Sequence, residues 1–170
     1  VPHATALSAA SSAGVVARGG DVIENIASAN LAFLDKTGTL TSGQPALEKI
    51  YTVRGINQEF ALSIAAALEM KSNHPYAEAV IGEAEKRKIE HSKVDSISDG
   101  DAGVKGIVDG CDVAFGASSW IKSSGFKINQ RLEKIQKTTS SEGLGSSLLA
   151  HEGRTIALFT FRNDDLRTGA

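Results

Sequence analysis

The sequence has few of the features that mark a disulfide framework, a membrane span or a nucleic-acid surface. It contains one cysteine, Cys111, which excludes an internal disulfide and fits a reduced, intracellular setting. No run approaches the ~20 consecutive apolar residues that cross a bilayer. The 18 basic and 20 acidic residues give a net charge of -2, without the basic excess of a nucleic-acid binder. We therefore expect a soluble chain with no nucleic-acid partner.

The first 29 residues predict a helical extension. The segment from Val1 to Val16 is rich in Ala, Ser and Val, and Arg18 and the pair Gly19-Gly20 follow it. An apolar membrane helix that ends here on its cytoplasmic side would give this pattern, because basic residues favour that side. An ordinary Ala/Ser-rich surface helix would give it as well. Asp21 can then cap a short amphipathic helix that ends near Ala29.

A buried strand is predicted next, over the apolar run from Leu31 to Leu34. A continuous apolar run of this length is typical of a parallel sheet that is covered on both faces. The run stops at Asp35, and open α/β sheets bind their ligands at the carboxyl ends of such strands. Residues 30–45 therefore predict the first part of an α/β domain.

Residues 46–162 predict a different architecture, an antiparallel sheet with helices on one face, inserted into the first domain. Helices are expected over about 58–71 and 75–89, with a broken helical region over 118–137. Strands are expected in a first stretch around 47–53 and then over 93–98, 104–108, 112–115, 146–151 and 155–161. The pair Asp109-Gly110 is a strong hairpin signal.

The run Asp35-Lys36-Thr37-Gly38-Thr39-Leu40-Thr41 follows the predicted strand directly and carries groups suited to phosphoryl transfer. Asp35 can attack the γ-phosphate of ATP and form an aspartyl phosphate. Lys36, the Thr37 hydroxyl and the backbone amides around Gly38 can donate to the phosphate, and Mg²⁺ can bridge it to Asp35. A polar turn that merely follows a core strand is the alternative interpretation.

This heptapeptide resembles the phosphorylation signature of P-type ATPases, a branch of the haloacid dehalogenase-like fold. The resemblance implies ATP and Mg²⁺ as cofactors and Asp35, Lys36 and Thr37 as catalytic residues, with Asp35 and Thr37 at the magnesium site. Phosphatases of this fold carry a second Asp two residues after the nucleophile, where it acts as acid and base. Thr37 occupies that position here. The phosphoaspartate should therefore persist, as a pump requires and a phosphatase does not.

A second run, Glu69-Met70-Lys71-Ser72-Asn73-His74-Pro75, lies between two predicted helices. Ser72 or Asn73 can cap the second helix, which gives the run a purely structural interpretation. That interpretation leaves His74 unexplained. An imidazole at a helix start can contact an adenine, and Glu69 can accept the hydrogen bond that the adenine amino group donates. The run resembles the nucleotide-domain signature of heavy-metal-transporting P-type ATPases, which implies that Glu69 and His74 contribute to ATP binding.

The same family carries a Gly-x-Gly element and a Gly-Asn pair near the nucleotide, and this sequence departs from both. Gly100 and Gly103 are one residue too far apart, and Asp101 between them would repel phosphates. The second element reads Gly116-Ala117, without the amide side chain. We take Gly100, Gly103 and Gly116 as candidate ATP-binding residues, with ordinary hairpin turns as the alternative. The departures predict weaker ATP affinity than in a regular family member.

The resemblance also predicts that the chain is part of a longer pump. Asp164-Asp165-Leu166-Arg167 resembles the segment by which the family re-enters its phosphorylation domain, so residues 163–170 are expected to begin that return. A charged helix start is the alternative. The later phosphate-binding and magnesium-binding elements do not occur before Ala170, so we expect a fragment that binds nucleotide better than it turns it over.

The expected function is the ATP-binding, phosphate-accepting portion of a heavy-metal pump, on the cytoplasmic side of a membrane. Its expected partners are ATP and the transmembrane and actuator domains of the same pump. The transported ion is not expected to bind this chain, because the family holds it in transmembrane helices. Gly19-Gly20 resembles zinc, cadmium and cobalt pumps slightly more than copper pumps. A non-catalytic nucleotide-binding module and a capped phosphatase of the same fold remain as alternatives.

Overall fold

The structure of the chain is a computed structural model that describes residues 2–34, 45–72 and 74–162. They divide into two units, with the boundary close to residue 35. Three predicted features lie outside the described residues: the signature run that begins at Asp35, the side chain of Asn73 and the return segment 163–170.

The first unit holds two helices, α1 (Pro2–Ser12) and α2 (Gly20–Ser28). Nε2 of His3 lies 2.6 Å from Oε1 of Glu24, which joins the two helices. The predicted helix after the glycine pair is present, but its N-cap is Gly19 and no side chain caps it. Asp21 lies in the first turn, where a negative charge complements the helix dipole. None of the helices in the described ranges is long and apolar enough to cross a membrane.

The prediction of a buried strand over residues 31–34 is wrong. These residues form neither helix nor strand, and Leu31, Phe33 and Leu34 are 69%, 92% and 66% exposed. A strand of a parallel sheet is stable when neighbouring strands pair with its backbone and helices cover its faces. Within the described ranges, no strand pairs with residues 31–34. The apolar run alone was therefore an insufficient signal for a strand.

The second unit is built on one six-stranded antiparallel sheet, as the sequence predicts. Its strands are β1 (Ala46–Thr52), β2 (Val94–Gly100), β3 (Gly103–Val108), β4 (Cys111–Gly116), β5 (Gly145–His151) and β6 (Arg154–Arg162). They lie in the order β1-β6-β5-β4-β3-β2. The hairpin predicted at Asp109-Gly110 is confirmed between β3 and β4, with both residues at positive φ.

Four helices accompany the sheet and cover both of its faces, so the prediction of helices on one face is wrong. They are α3 (Gln58–Glu69), α4 (Ala77–Lys86), α5 (Ser118–Ser123) and α6 (Gln130–Ser141). One core joins α3 and α4 to Phe115 and Phe159, and a second core joins α5 and α6 to Leu148 and Leu158. Side chains of successive strand residues point to opposite faces, so two adjacent buried residues such as Leu158 and Phe159 require cover on both sides.

The packing of α3 positions the candidate site. This helix contacts β2 and β3, and it is buried along its length from Ala61 to Glu69. The loop that joins α3 to α4 therefore begins beside the β2–β3 hairpin, whose turn lies between Gly100 and Gly103. The two sequence motifs meet at this end of the sheet.

Candidate functional site

A cleft of about 280 Å³ lies between the loop that joins α3 to α4 and the turn of the β2–β3 hairpin. Its lining residues are Ser72, His74, Pro75, Asp99, Gly100, Asp101 and Gly103. The structure thus brings together three predicted site residues, His74, Gly100 and Gly103, from two distant parts of the sequence. The volume is close to the lower end of the ~300–1,000 Å³ usual for small-molecule sites, so the cleft would enclose part of a ligand.

His74 is held in the cleft by its own loop. The Ser72 hydroxyl oxygen accepts a hydrogen bond from the His74 backbone amide at 3.0 Å, and the Tyr76 amide donates to Nδ1 of His74 at 3.4 Å. The Tyr76 ring meets the imidazole edge to face at 5.2 Å and stacks on Phe161 at 3.9 Å. Backbone and aromatic contacts together therefore fix the imidazole.

Of the two residues that could cap the second helix, Ser72 does not cap it, and Asn73 lies outside the described residues. Helix α4 begins at Ala77 with Tyr76 as its N-cap, and no side chain makes the cap hydrogen bond. Ser72 instead closes a local turn on the amide two residues later, a common use of serine. This turn sets the direction in which the chain passes His74.

Glu69 lies behind His74 and does not line the cleft. Its side chain is 0% exposed, and neither carboxyl oxygen makes a hydrogen bond of good geometry in the described part of the chain. Oε1 is 4.0 Å from Nδ1 of His74. Burial raises the pKa of Glu69 to about 7. The nearby Ser72 hydroxyl lowers this pKa, and the Asp99 carboxylate raises it. Burial also lowers the pKa of His74, so both groups favour their neutral forms.

The candidate glycines are required by close packing in the structure. Gly100 and Gly103 pair across the β2–β3 hairpin, and the Trp120 ring of α5 lies against both. A Cβ atom would stand 2.7 Å from Trp120 Nε1 at Gly100 and 2.6 Å from Trp120 Cε3 at Gly103. Gly116 pairs with Gly103 one strand further in, where a Cβ would meet the Ala102 carbonyl oxygen, and it does not line the cleft.

The charged residues that line the cleft are acidic. Asp99 and Asp101 are both exposed on its hairpin wall, and no lysine or arginine is among its lining residues. A phosphate group placed beside them would be repelled by two carboxylates. The cleft therefore suits an uncharged part of a ligand better than a phosphate. The described residues contain no cluster of three His, Cys, Asp or Glu that could hold a metal ion.

Sequence reasoning missed Tyr76 and Trp120, the two aromatic residues that shape the site. Tyr76 directly follows the His-Pro pair, and Trp120 is the single tryptophan of the chain. The sequence contains only part of the signal for these residues. A glycine that is not needed for a positive φ indicates that a bulky group packs against the backbone there. Which group does so depends on tertiary packing. The predicted catalytic residues Asp35, Lys36 and Thr37 lie outside the described residues and stay predictions.

Comparison with known proteins gives a family and a set of relatives. Residues 29–161 match the family of haloacid dehalogenase-like hydrolases. The chain is 31% identical over 151 residues to the chloroplastic copper-transporting ATPase PAA2 of Arabidopsis thaliana, covering 83% of this chain and 17% of that protein. It is 31% identical over 167 residues to a probable cadmium-transporting ATPase of Alkalihalophilus pseudofirmus, covering 94% of this chain and 23% of that protein.

A solved structure from the same group of proteins matches the fold of this chain. A zinc-transporting PIB-type ATPase in its E2.Pi state matches with a TM-score of 0.76 and 26% identity, over 95% of this chain and 26% of that chain. The resemblance and the mixed α/β fold class expected from the sequence are thereby confirmed. The chain spans about a fifth of the length of the curated relatives it matches.

Proposed function

This chain belongs to the haloacid dehalogenase-like hydrolase family, and on that premise we propose that it is the ATP-binding and phosphate-accepting portion of a P-type ATPase that transports a heavy-metal ion. The observation that carries the proposal is the cleft in which His74 meets the Gly100–Gly103 hairpin. Two motifs that resemble the same family are distant in sequence, and they converge in space. A purely structural origin of either motif would not require that convergence.

The nucleotide half of the proposal assigns the base of ATP to the cleft. His74 is the lining residue whose ring can pack on a purine or form a hydrogen bond with it, and Glu69 supports it from behind. Gly100 and Gly103 let the hairpin turn pack against Trp120 and so form one wall of the cleft, while Gly116 acts indirectly by allowing β3 and β4 to approach closely. Because Asp99 and Asp101 repel phosphate, we expect the phosphate chain to leave the cleft on the side away from them.

The phosphate half assigns the nucleophile to Asp35. Its carboxylate would attack the γ-phosphate, while Lys36 and Thr37 donate to the transferred group. Asp35 and Thr37 offer oxygen donors, which is the ligand type that Mg²⁺ prefers, so the residues present fit this cofactor. When bound, Mg²⁺ would neutralise charge on the phosphate. The absence of a second acid at Thr37 leaves the acyl phosphate without a resident base for hydrolysis.

The wider assignments follow from the relatives. We place the chain on the cytoplasmic side of a membrane protein whose other parts carry the ion, with ATP and those parts as its partners. The relatives are named for copper, cadmium and zinc at similar identities, so no single heavy metal is favoured. A non-catalytic nucleotide-binding module is the second candidate, and the observation that favours it is that the cleft can hold a base without any of the phosphate-accepting residues. A capped phosphatase is disfavoured by Thr37.

The experiment that tests the phosphate half is labelling of the longer protein that carries this chain. Radioactive ATP should leave an acid-stable, hydroxylamine-sensitive label on the wild type and none on Asp35→Asn. Asp112→Asn, an exposed change on β4, is the matched control and should be labelled like the wild type. Label that persists in Asp35→Asn would move the nucleophile elsewhere. Absence of label in the wild type with intact ATP binding would favour the non-catalytic module.

A further inference from the structure

The β2–β3 hairpin places two carboxylates on one wall of the cleft. Gly100 and Gly103 pair with each other at the ends of β2 and β3. The turn between them consists of Asp101 and Ala102. Asp101 and Asp99, which lies two residues earlier on β2, are both exposed, and both line the cleft. A ligand beside His74 therefore has this acidic wall as its neighbour.

Neither of these carboxylates has a structural partner in the part of the chain that the structure describes. Asp99 and Asp101 form no ion pair and no side-chain hydrogen bond with the described residues. Asp95, on the same strand, differs. It accepts a hydrogen bond from the Gly110 amide at 3.1 Å, and its carboxylate lies 3.7 Å from Nζ of Lys93. The hairpin thus uses Asp95 for its own structure, and it leaves the two carboxylates of the cleft free to act on a ligand.

No positive charge in the described residues offsets the two carboxylates at the cleft. Lys105 of β3 extends over the Phe126 ring, with Nζ 5.4 Å from the ring centre, and Phe126 belongs to the core on the other face of the sheet. Lys71 is exposed and does not line the cleft. Burial lowers the pKa of His74, so the imidazole is largely neutral near pH 7. The cleft therefore combines a neutral ring with an unpaired negative wall.

We propose that Asp99 and Asp101 are specificity-determining residues that select against phosphate charge, so that the cleft binds adenosine and adenosine monophosphate more tightly than free ATP. This inference rests on the proposed nucleotide site, because it takes the base to lie beside His74. The phosphates of such a ligand remain within reach of both carboxylates, since charges act over about 10 Å at an ionic strength of about 0.1 M. Each added phosphate increases the repulsion, while the contacts of the base stay the same.

The size and the salt dependence of this selectivity follow from the exposure of the carboxylates. Because Asp99 and Asp101 are exposed, water weakens their repulsion of phosphate. We expect adenosine to bind about tenfold more tightly than ATP at an ionic strength of about 0.01 M, and about threefold more tightly at about 0.15 M. Affinity for ATP should thus rise with salt. A site that holds phosphate with lysine or arginine shows the opposite dependence, because salt screens an attraction there.

The first arm of the test titrates the chain with adenosine and with adenosine mono-, di- and triphosphate, in the absence of divalent cations. Backbone amide resonances of Ser72, Gly100 and Gly103 report binding at the cleft. Affinity should fall along this series as the number of phosphates increases. Adenosine carries no charge, so its affinity should change little with ionic strength. It is therefore the internal reference for the salt dependence of the three nucleotides.

The second arm removes the two charges and keeps the shapes of the side chains. The double variant Asp99→Asn/Asp101→Asn should bind adenosine as the wild type does, and should bind ATP about tenfold more tightly than the wild type at low salt. The matched control is Asp112→Asn/Glu90→Gln, which removes two exposed carboxylates that do not line the cleft. This control changes the net charge of the chain by the same amount. It should keep the wild-type order of affinities.

The outcomes separate this inference from the proposed function. Affinity that falls with each phosphate, rises with salt for ATP and loses both trends in Asp99→Asn/Asp101→Asn supports the inference. ATP that binds the wild type as tightly as adenosine, or more tightly, overturns the inference alone, and so does a double variant that keeps the wild-type order. Absence of binding by all four ligands refutes the proposed nucleotide site. The wild-type series with its salt dependence decides even if the double variant does not fold.

Discussion

At the scale of single residues, the site is governed by removal of water from two ionisable groups. Glu69 lies behind the cleft and His74 within it, and burial raises the pKa of the acid to about 7 and lowers the pKa of the imidazole below its usual 6.5. Near pH 7 neither group strongly favours a charge. The contact is therefore between two largely neutral side chains, and a charged salt bridge does not describe it.

The raised pKa of Glu69 predicts a dependence of stability on pH. The folded state binds this proton more tightly than the unfolded state, so the associated stability is complete below pH 4.5 and is lost as pH rises to about 7. The lowered pKa of His74 acts with the opposite sign, since stability is lost as pH falls below 6.5. Glu69→Gln removes only the first effect. We expect it to raise the free energy of unfolding by about 2 to 3 kcal/mol at pH about 8, measured by urea denaturation.

The control for this prediction is Glu90→Gln, which replaces an exposed carboxyl group. It should leave the pH dependence of unfolding unchanged. At pH about 4 the Glu69→Gln and wild-type proteins should have nearly equal stability, because both carry a neutral side chain there. A Glu69→Gln variant that is less stable than the wild type at every pH would show that the carboxyl group is bound as an anion.

At the scale of secondary-structure elements, the β2–β3 hairpin and α5 form one packed unit through Trp120. The ring occupies the space that side chains at Gly100 and Gly103 would need. At Gly100 the three nearest atoms all belong to the Trp120 side chain, whereas at Gly103 the Phe115 carbonyl oxygen is also 2.5 Å away. Gly100 is thus the position where the effect of this contact can be isolated.

Gly100→Ala should destabilise the chain by about 1 to 3 kcal/mol, because the new methyl group overlaps the indole. In a Trp120→Leu background the same change should have a much smaller effect, since a smaller side chain leaves room for it. Gly82→Ala is the matched control, because a Cβ there meets nothing within 4 Å and alanine favours a helix. Additive effects of Gly100→Ala and Trp120→Leu in chemical denaturation would contradict this packing.

The same elements show how far the sequence predicts the fold. The strand and helix ranges of the second unit follow from local patterns, such as the turn at Asp109-Gly110, and agree with the structure to within a few residues. The assignment of helices to faces failed because adjacent apolar residues such as Leu148 and Leu149 were not interpreted as two buried faces. The prediction of a strand at 31–34 is wrong because the stability of a strand depends on neighbouring strands and helices, which a local pattern does not reveal.

The candidate site was predictable to a similar degree. His74 and the glycines follow from motifs, and the structure places His74, Gly100 and Gly103 together. The burial of Glu69 and the packing of Tyr76 on Phe161 depend on contacts between distant segments, which a pattern along one segment does not contain. The acidity of the cleft was partly foreseen from Asp101, while Asp99 was missed.

At the scale of the whole molecule, the second unit contains within itself the two apolar cores on either side of its sheet. We therefore expect residues 45–162 to fold in isolation with a cooperative thermal transition. Calorimetry of a chain truncated to 45–162 would measure this. A truncated chain that lacks a transition, or has the circular dichroism of an unfolded chain, would show that residues outside this range complete the fold.

The measurement that tests the central claim most directly is a titration of the isotope-labelled chain with MgATP, followed by backbone amide resonances. The account predicts that the largest shifts occur at Ser72, His74, Gly100 and Gly103, and that His74→Ala weakens binding by about 1 to 2 kcal/mol. His91→Ala, an exposed histidine change, should have no effect. Shifts centred instead on the groove of Ser96, Lys105 and Ile107, or an affinity that His74→Ala leaves unchanged, would contradict it.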